Sequence, residues 1–114
     1  SAWLQQCPIH YWGDIDTNGL AILAQLRARF AHVESLLMDH ATLHAHERLW
    51  GREDSPRAAD TTRLTADERR LYEDLRDHRI RPGLRLEQEY VGFGWLEERL
   101  KTIRAMDDHR SGAS

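Results

Sequence analysis

Tyr11-Trp12-Gly13-Asp14-Ile15-Asp16-Thr17-Asn18-Gly19 decides the fold reading. The run from Ile9 to Asp14 is short, aromatic and bounded by Pro8 and Gly13, which predicts a strand over 8–14. Asp16-Thr17-Asn18-Gly19 is a turn and helix-start cluster. Leu20, Leu23, Leu26 and Phe30 then share one helical face, with Arg27 and Arg29 opposite, predicting a helix over 18–30. Asp14 and Asp16 therefore sit at the C-terminal end of a strand, where ligand sites of parallel α/β sheets lie. Residues two apart on a strand share a face. Two carboxylates held together repel one another, and a divalent cation relieves that cost. An oxygen-only donor set favours magnesium or manganese. The following helix directs its N-terminus to the same place, which favours an anion such as phosphate. Metal and phosphate at one strand tip point to phosphoryl or phosphodiester chemistry. The competing assignment makes Asp14 a turn former and Asp16 a helix N-cap.

Outward from this stretch, Val33 to Met38 reads as a second buried strand. Asp39 can cap a helix through Trp50, with Leu43 and Leu49-Trp50 facing inward. Strand, helix and strand joined by a short loop predict a parallel pair with a right-handed crossover. Two parallel strands do not make a sheet, so further strands are expected from upstream sequence or from another copy. Upstream, Trp3 to Gln6 reads as the tail of a helix that Pro8 ends. Downstream, residues 51–64 are polar and carry Pro56, which predicts a loop. Thr65-Ala66-Asp67-Glu68 has the form of a capping box opening a helix that bears Leu71, Tyr72 and Leu75 to about His78. Pro82-Gly83 is a turn, and Leu84 to Tyr90 alternates as a short extended piece. Gly92-Phe93-Gly94 leads into a helix from Trp95 to about Met106, and the tail from Asp107 is expected to be disordered. The expected organisation is a strand-helix-strand unit over 1–50, a polar loop over 51–64, a helical extension over 65–106 and the tail 107–114.

With 114 residues, 40% hydrophobic and 31% charged, the chain can bury one core and not two. Its apolar runs are far shorter than a membrane helix needs, and a cytoplasmic chain is expected. One cysteine, Cys7, excludes an internal disulfide and a cysteine-rich zinc site. A formal charge of −3 excludes nucleic-acid binding by bulk charge. Any such contact must come from a local patch.

Arginine outnumbers lysine fifteen to one. Arg76, Arg79, Arg81 and Arg85, around the Pro82-Gly83 turn, are the candidate phosphate-binding cluster, joined by Arg69 and Arg70. Interspersed acids, Glu73, Asp74 and Asp77, offer surface ion pairs as the alternative. Asp39 is a candidate third metal ligand, with helix capping as its alternative. Glu87 and Glu89 belong near the site or on a solvated edge. His40 and His44 share a helical face near His46, and solvated histidines outweigh zinc there because no third ligand is evident. Tyr11, Tyr72 and Tyr90 are assigned to packing.

Trp12 to Leu23 resembles the Asp-x-Asp half of a Toprim domain of the topoisomerase VI A-subunit type. More closely, the chain resembles the C-terminal region of JetD, the nuclease subunit of Wadjet anti-plasmid systems. Further blocks carry the likeness: Val33 to Asp39, Leu64 to Glu68, Leu71 to Leu75, and Arg85 to Glu89 with Gly92 to Glu98. The resemblance implies an α/β fold, the C-terminal half of a Toprim-like domain with a short parallel sheet flanked by helices and additional C-terminal helices. It implies a Mg²⁺- or Mn²⁺-dependent endonuclease acting on double-stranded DNA with an SMC-like condensin complex. Asp14 and Asp16 match the metal-binding pair. A Toprim site also takes a glutamate from an earlier strand, expected upstream of this piece, so the piece alone is expected to be inactive. Hydrolysis by a metal-activated water is implied, and a homodimer is expected from the exposed strand edges.

Two other functions fit some of the same residues. Asp14-Ile15-Asp16-Thr17 is similar to the Asp-x-Asp motif of a haloacid-dehalogenase-like phosphatase, with Asp14 as nucleophile and Asp16 as the acid, but the chain lacks room and a clear downstream lysine plus acidic pair. A non-catalytic dimerisation or docking module would use the same acids as scaffolding.

Overall fold

The computed structural model describes residues 8–112, with side chains to residue 109. The expected helix tail at Trp3 to Gln6 lies outside them. The predicted first strand is realised as β1, Ile9–Tyr11, and the helix after it as α1, Thr17–Arg29. β2, Val33–Ser35, pairs with β1 in parallel, with Ile9 opposite Val33 and Tyr11 opposite Ser35. The molecule is mixed α/β, with a two-stranded parallel sheet, α1 as its crossover, and helices packed around it.

β2 stops at Ser35 rather than running to Met38. Leu37 turns the chain with a left-handed φ of 59°, held there while its side chain is buried in the core. Asp39 caps α2, His40–Ala45, by accepting from Thr42 N–H at 2.9 Å. The expected helix through Trp50 ends early for a local reason. His46 Nδ1 bonds the Thr42 carbonyl at 2.7 Å and Trp50 Nε1 donates to the Leu43 carbonyl at 2.8 Å. Side chains satisfy the last carbonyls, and a 3₁₀ turn at Glu47–Leu49 follows.

The region 51–64 is not simply a loop. β3, Gly51–Arg52, pairs antiparallel with β4, Leu84–Arg85, and Glu53 N–H donates to the Gly83 carbonyl at 2.7 Å. A 3₁₀ turn forms at Thr61–Arg63. Tyr72 pins the intervening chain, accepting from Ala59 N–H and donating to the Arg57 carbonyl. α3, Ala66–Arg76, opens with both halves of the capping box between Thr65 and Glu68, as its sequence predicts. α4 runs from Phe93 to Gly112, so the tail expected to be disordered from Asp107 continues the helix.

Leu20, Leu23, Val33, Leu43, Leu71 and Leu86 are among the side chains of one core, each almost wholly buried. Arg27, placed by its spacing on the polar face of α1, is instead buried. Its Nε donates to the Val33 carbonyl at 2.8 Å and its terminal nitrogens form a bidentate pair with Glu68. Ser35 Oγ donates to the same carboxylate at 2.6 Å. This one ion pair joins α1, β2 and the start of α3. Among the described residues no helix is long and apolar enough to cross a membrane.

Candidate functional site

Ile15 forms a β-bridge with Leu86, each N–H donating to the other's carbonyl at 2.8 and 3.0 Å. Both side chains are buried. Alternation along this extended residue sends Asp14 and Asp16 away from the core-facing Ile15. Their carboxylates are held by the segment that bonds Ile15, residues 85–88. Asp14 Oδ1 accepts from Gln88 N–H at 2.8 Å, and Asp16 Oδ2 accepts from Arg85 Nε at 2.8 Å. Both carboxylates are thus held against residues 85–88, beyond the end of β1 rather than within it.

The two acids have different surroundings. Asp14 is half-buried, whereas Asp16 is 1% exposed. Asp16 Oδ1 caps α1 by accepting from Gly19 N–H at 2.6 Å. Burial pushes the Asp16 carboxyl above the ordinary carboxylate range; the bonds from Gly19 and Arg85 oppose this, and nearby Glu53 adds to it. Tyr11 feels the same surroundings. Burial first, then Asp14 and Asp16, raise its phenol, which stays neutral and serves packing.

Glu53 carries no motif in the sequence, yet it is a third acid at this helix end. It is buried, and it accepts from Thr17 Oγ1 at 2.8 Å, Asn18 N–H at 3.0 Å and Asn18 Nδ2 at 2.6 Å. An acid in a Pro-containing polar stretch gives no local signal. Its partners lie 35 and 36 positions earlier. Both Glu53 and Asp16 suit the positive end of α1.

Asp39 does not join this group. It caps α2 and pairs with Arg99 of α4 at 2.7 Å. Burial raises its carboxyl, but the bonds from Arg99 and Thr42 bring it below the usual range. The four candidate phosphate-binding arginines do not form one free cluster. Arg76 pairs with Asp77, Arg79 with Asp74 and Asp77, and Arg85 with Asp16. Arg81 alone of the four has no carboxylate partner among the described residues, and its guanidinium lies 5.9 Å from the Trp50 ring centre. The surface ion pairs that the interspersed acids offered are what forms. His40 Nε2 pairs with Asp74 at 2.8 Å, and the ring nitrogens of His46 bond the Thr42 carbonyl and the Gly92 N–H. Glu89 lies on the surface and Glu87 is half-buried.

Among the described residues no three His, Cys, Asp or Glu side chains gather to hold a metal ion. Asp14 and Asp16 offer hard oxygen donors of the type magnesium and manganese take. Asp14 Oδ2 has no hydrogen bond among the described residues, whereas both Asp16 oxygens are engaged. A divalent cation would reach Asp16 Oδ2 only by displacing Arg85.

The model of the family described as "Wadjet protein JetD, C-terminal" matches residues 1–100. No curated protein matches the chain.

Proposed function

The chain belongs to the JetD C-terminal family, a component of Wadjet systems, and from that membership we propose that it carries part of the active site of a metal-dependent DNA endonuclease. The observation that supports this reading is the delivery of Asp14 and Asp16 to one edge beside the N-terminus of α1. Asp14 and Asp16 would hold Mg²⁺ or Mn²⁺, with a glutamate from an earlier strand completing the set, as in the Toprim domains the sequence resembles. The bound ion would supply an activated water and neutralise charge on the phosphodiester. The chain's own residues do the positioning. Gln88 N–H orients Asp14, Gly19 N–H orients Asp16, and Glu53 fixes the first turn of α1. The first-turn N–H groups of α1 are taken by Glu53 and Asp16, so the phosphate charge would be met by the bound ion. Substrate is double-stranded DNA of plasmids, delivered by SMC-like condensin subunits, and the protein works as a homodimer in the cytoplasm.

The test is cleavage of supercoiled plasmid by the full-length protein with manganese or magnesium, beside Asp14→Ala and Asp16→Ala. Circular dichroism checks that each variant folds. The reading expects folded variants that do not cut, and folded variants that cut normally would overturn it. A second reading, in which the acids are scaffolding for a docking module, draws support from Asp16 capping α1 while paired to Arg85. It expects unchanged cleavage by Asp14→Ala.

A further inference from the structure

Among the described side chains, eight arginines have a carboxylate within ion-pair distance. Six do not: Arg29, Arg48, Arg52, Arg57, Arg81 and Arg104. Four of these six belong to one continuous structure. Arg48 and Arg81 line an open groove of about 830 Å³, together with His44 and His46. Arg81 is held there over Trp50, whose Nε1 is fixed to the Leu43 carbonyl. Gly51 and Arg52 follow directly as β3. Arg52 is exposed and runs along Gly83, where an added Cβ would meet its Cγ at 3.1 Å. Glu53, next along the strand, turns the opposite way into the α1 terminus. Arg57 N–H then donates to Thr17 Oγ1 at 2.8 Å, placing that residue beside the same terminus. The ladder pairs Gly51 with Arg85, which reaches Asp16. A row of uncompensated guanidinium groups thus leads from the groove along β3 to the edge bearing Asp14 and Asp16. Glu47 lines the same groove but forms no ion pair with Arg48 or Arg81 among the described residues.

We propose that Arg48, Arg81, Arg52 and Arg57 form a strip that seats the phosphodiester backbone of duplex DNA and leads it to Asp14 and Asp16; its ligand rests on the nuclease reading above. Arginine suits this task because its planar fork meets two phosphate oxygens at once. Arginines already paired to carboxylates would have to surrender that partner first, which favours this strip over Arg76 and Arg79. Phosphate contacts carry no base information, so binding is independent of sequence.

The experiment is fluorescence anisotropy of a labelled duplex with the full-length protein in EDTA, over a range of salt. Neither metal nor cleavage is needed, so the result stands apart from the fate of the catalytic acids. The triple variant Arg48→Gln/Arg52→Gln/Arg81→Gln is compared with Arg29→Gln/Arg63→Gln/Arg104→Gln, which removes the same charge elsewhere. The strip variant is expected to bind about tenfold or more weakly, with the salt slope reduced by about one for each phosphate that no longer meets an arginine. The control is expected to keep the wild-type slope. Arg48→Lys/Arg52→Lys/Arg81→Lys keeps the charge and is expected to retain most of the slope. Should the triple glutamine variant fail to fold, Arg48→Gln, which breaks no ion pair, carries the same comparison. An unchanged slope in the strip variant, or an equal fall in the control, overturns the proposal. So does a wild type that does not bind duplex, or one that binds polyglutamate of equal charge as tightly and loses both together.

Discussion

Arg85 Nε lies 2.8 Å from Asp16 Oδ2, and Asp16 is 1% exposed, so one guanidinium on β4 neutralises the buried acid that starts α1. The two residues are 69 positions apart. Arg85→Gln leaves a buried carboxylate without its cation and is expected to destabilise the fold by about 2–4 kcal/mol. Asp16→Asn keeps the cap, since asparagine serves that position well. Adding Asp16→Asn to Arg85→Gln should therefore recover much of the loss. Denaturant unfolding of the two single variants and the double variant closes the cycle; strictly additive losses would contradict the coupling.

Glu53 satisfies donors on both Thr17 and Asn18 in a buried setting. Glu53→Ala removes the acceptor and frees the first turn of α1, an expected cost of about 1–3 kcal/mol. Glu53→Gln keeps one carbonyl oxygen and should cost less. Urea melts should rank wild type above Gln above Ala, and equal stabilities would show that the loop is not anchored there.

Gly19 stands where the first turn of α1 meets the Asp14 carbonyl oxygen. A Cβ there would fall well inside contact distance of that backbone atom. Backbone cannot step aside as a flexible side chain can, so Gly19→Ala should cost about 1–3 kcal/mol and displace Asp14. At Gly92 a Cβ meets nothing within 4 Å, and Gly92→Ala should be near neutral. Thermal melts of the two variants side by side give the comparison.

Glu68 contributes to the acid response of the fold. Burial would raise its carboxyl, but bonds from Arg27, Ser35 and the Thr65 N–H outweigh burial and hold it down at about 2, from an ordinary 4.5. A depressed folded-state value means the unfolded chain takes up the proton first. The stabilisation is full above about pH 4.5 and is lost as pH falls towards 2, roughly 3 kcal/mol in all. Glu68→Gln should start less stable at pH 7 and lose less over that range. Melting temperature against pH, measured for both proteins, would refute this if the two curves ran parallel.

The strand, helix, strand order and the Asp14–Asp16 pair were legible because each rests on local pattern. Asp16 as cap, the Thr65–Glu68 box and the Leu20 and Leu23 face all follow from spacings of four residues or fewer. The ends of β2 and α2 were not legible. One is set by a left-handed leucine and the other by side chains competing for helix carbonyls. Arg27 misled because its polarity predicts an exposed face, while Glu68, 41 positions away, makes its burial possible.

By itself the sequence determined the α/β order, the family likeness and the acids that face one edge, since periodicity and capping act between near neighbours. Only the tertiary structure decided which charges stay free. Burial of a charge is tolerable where an opposite charge or a set of donors arrives from elsewhere in the chain. Arg85 on Asp16, Arg99 on Asp39 and the first turn of α1 on Glu53 are such arrivals. Asp74 and Asp77 likewise took up Arg76 and Arg79, and Arg48, Arg52, Arg57 and Arg81 were left without a carboxylate partner among the described residues.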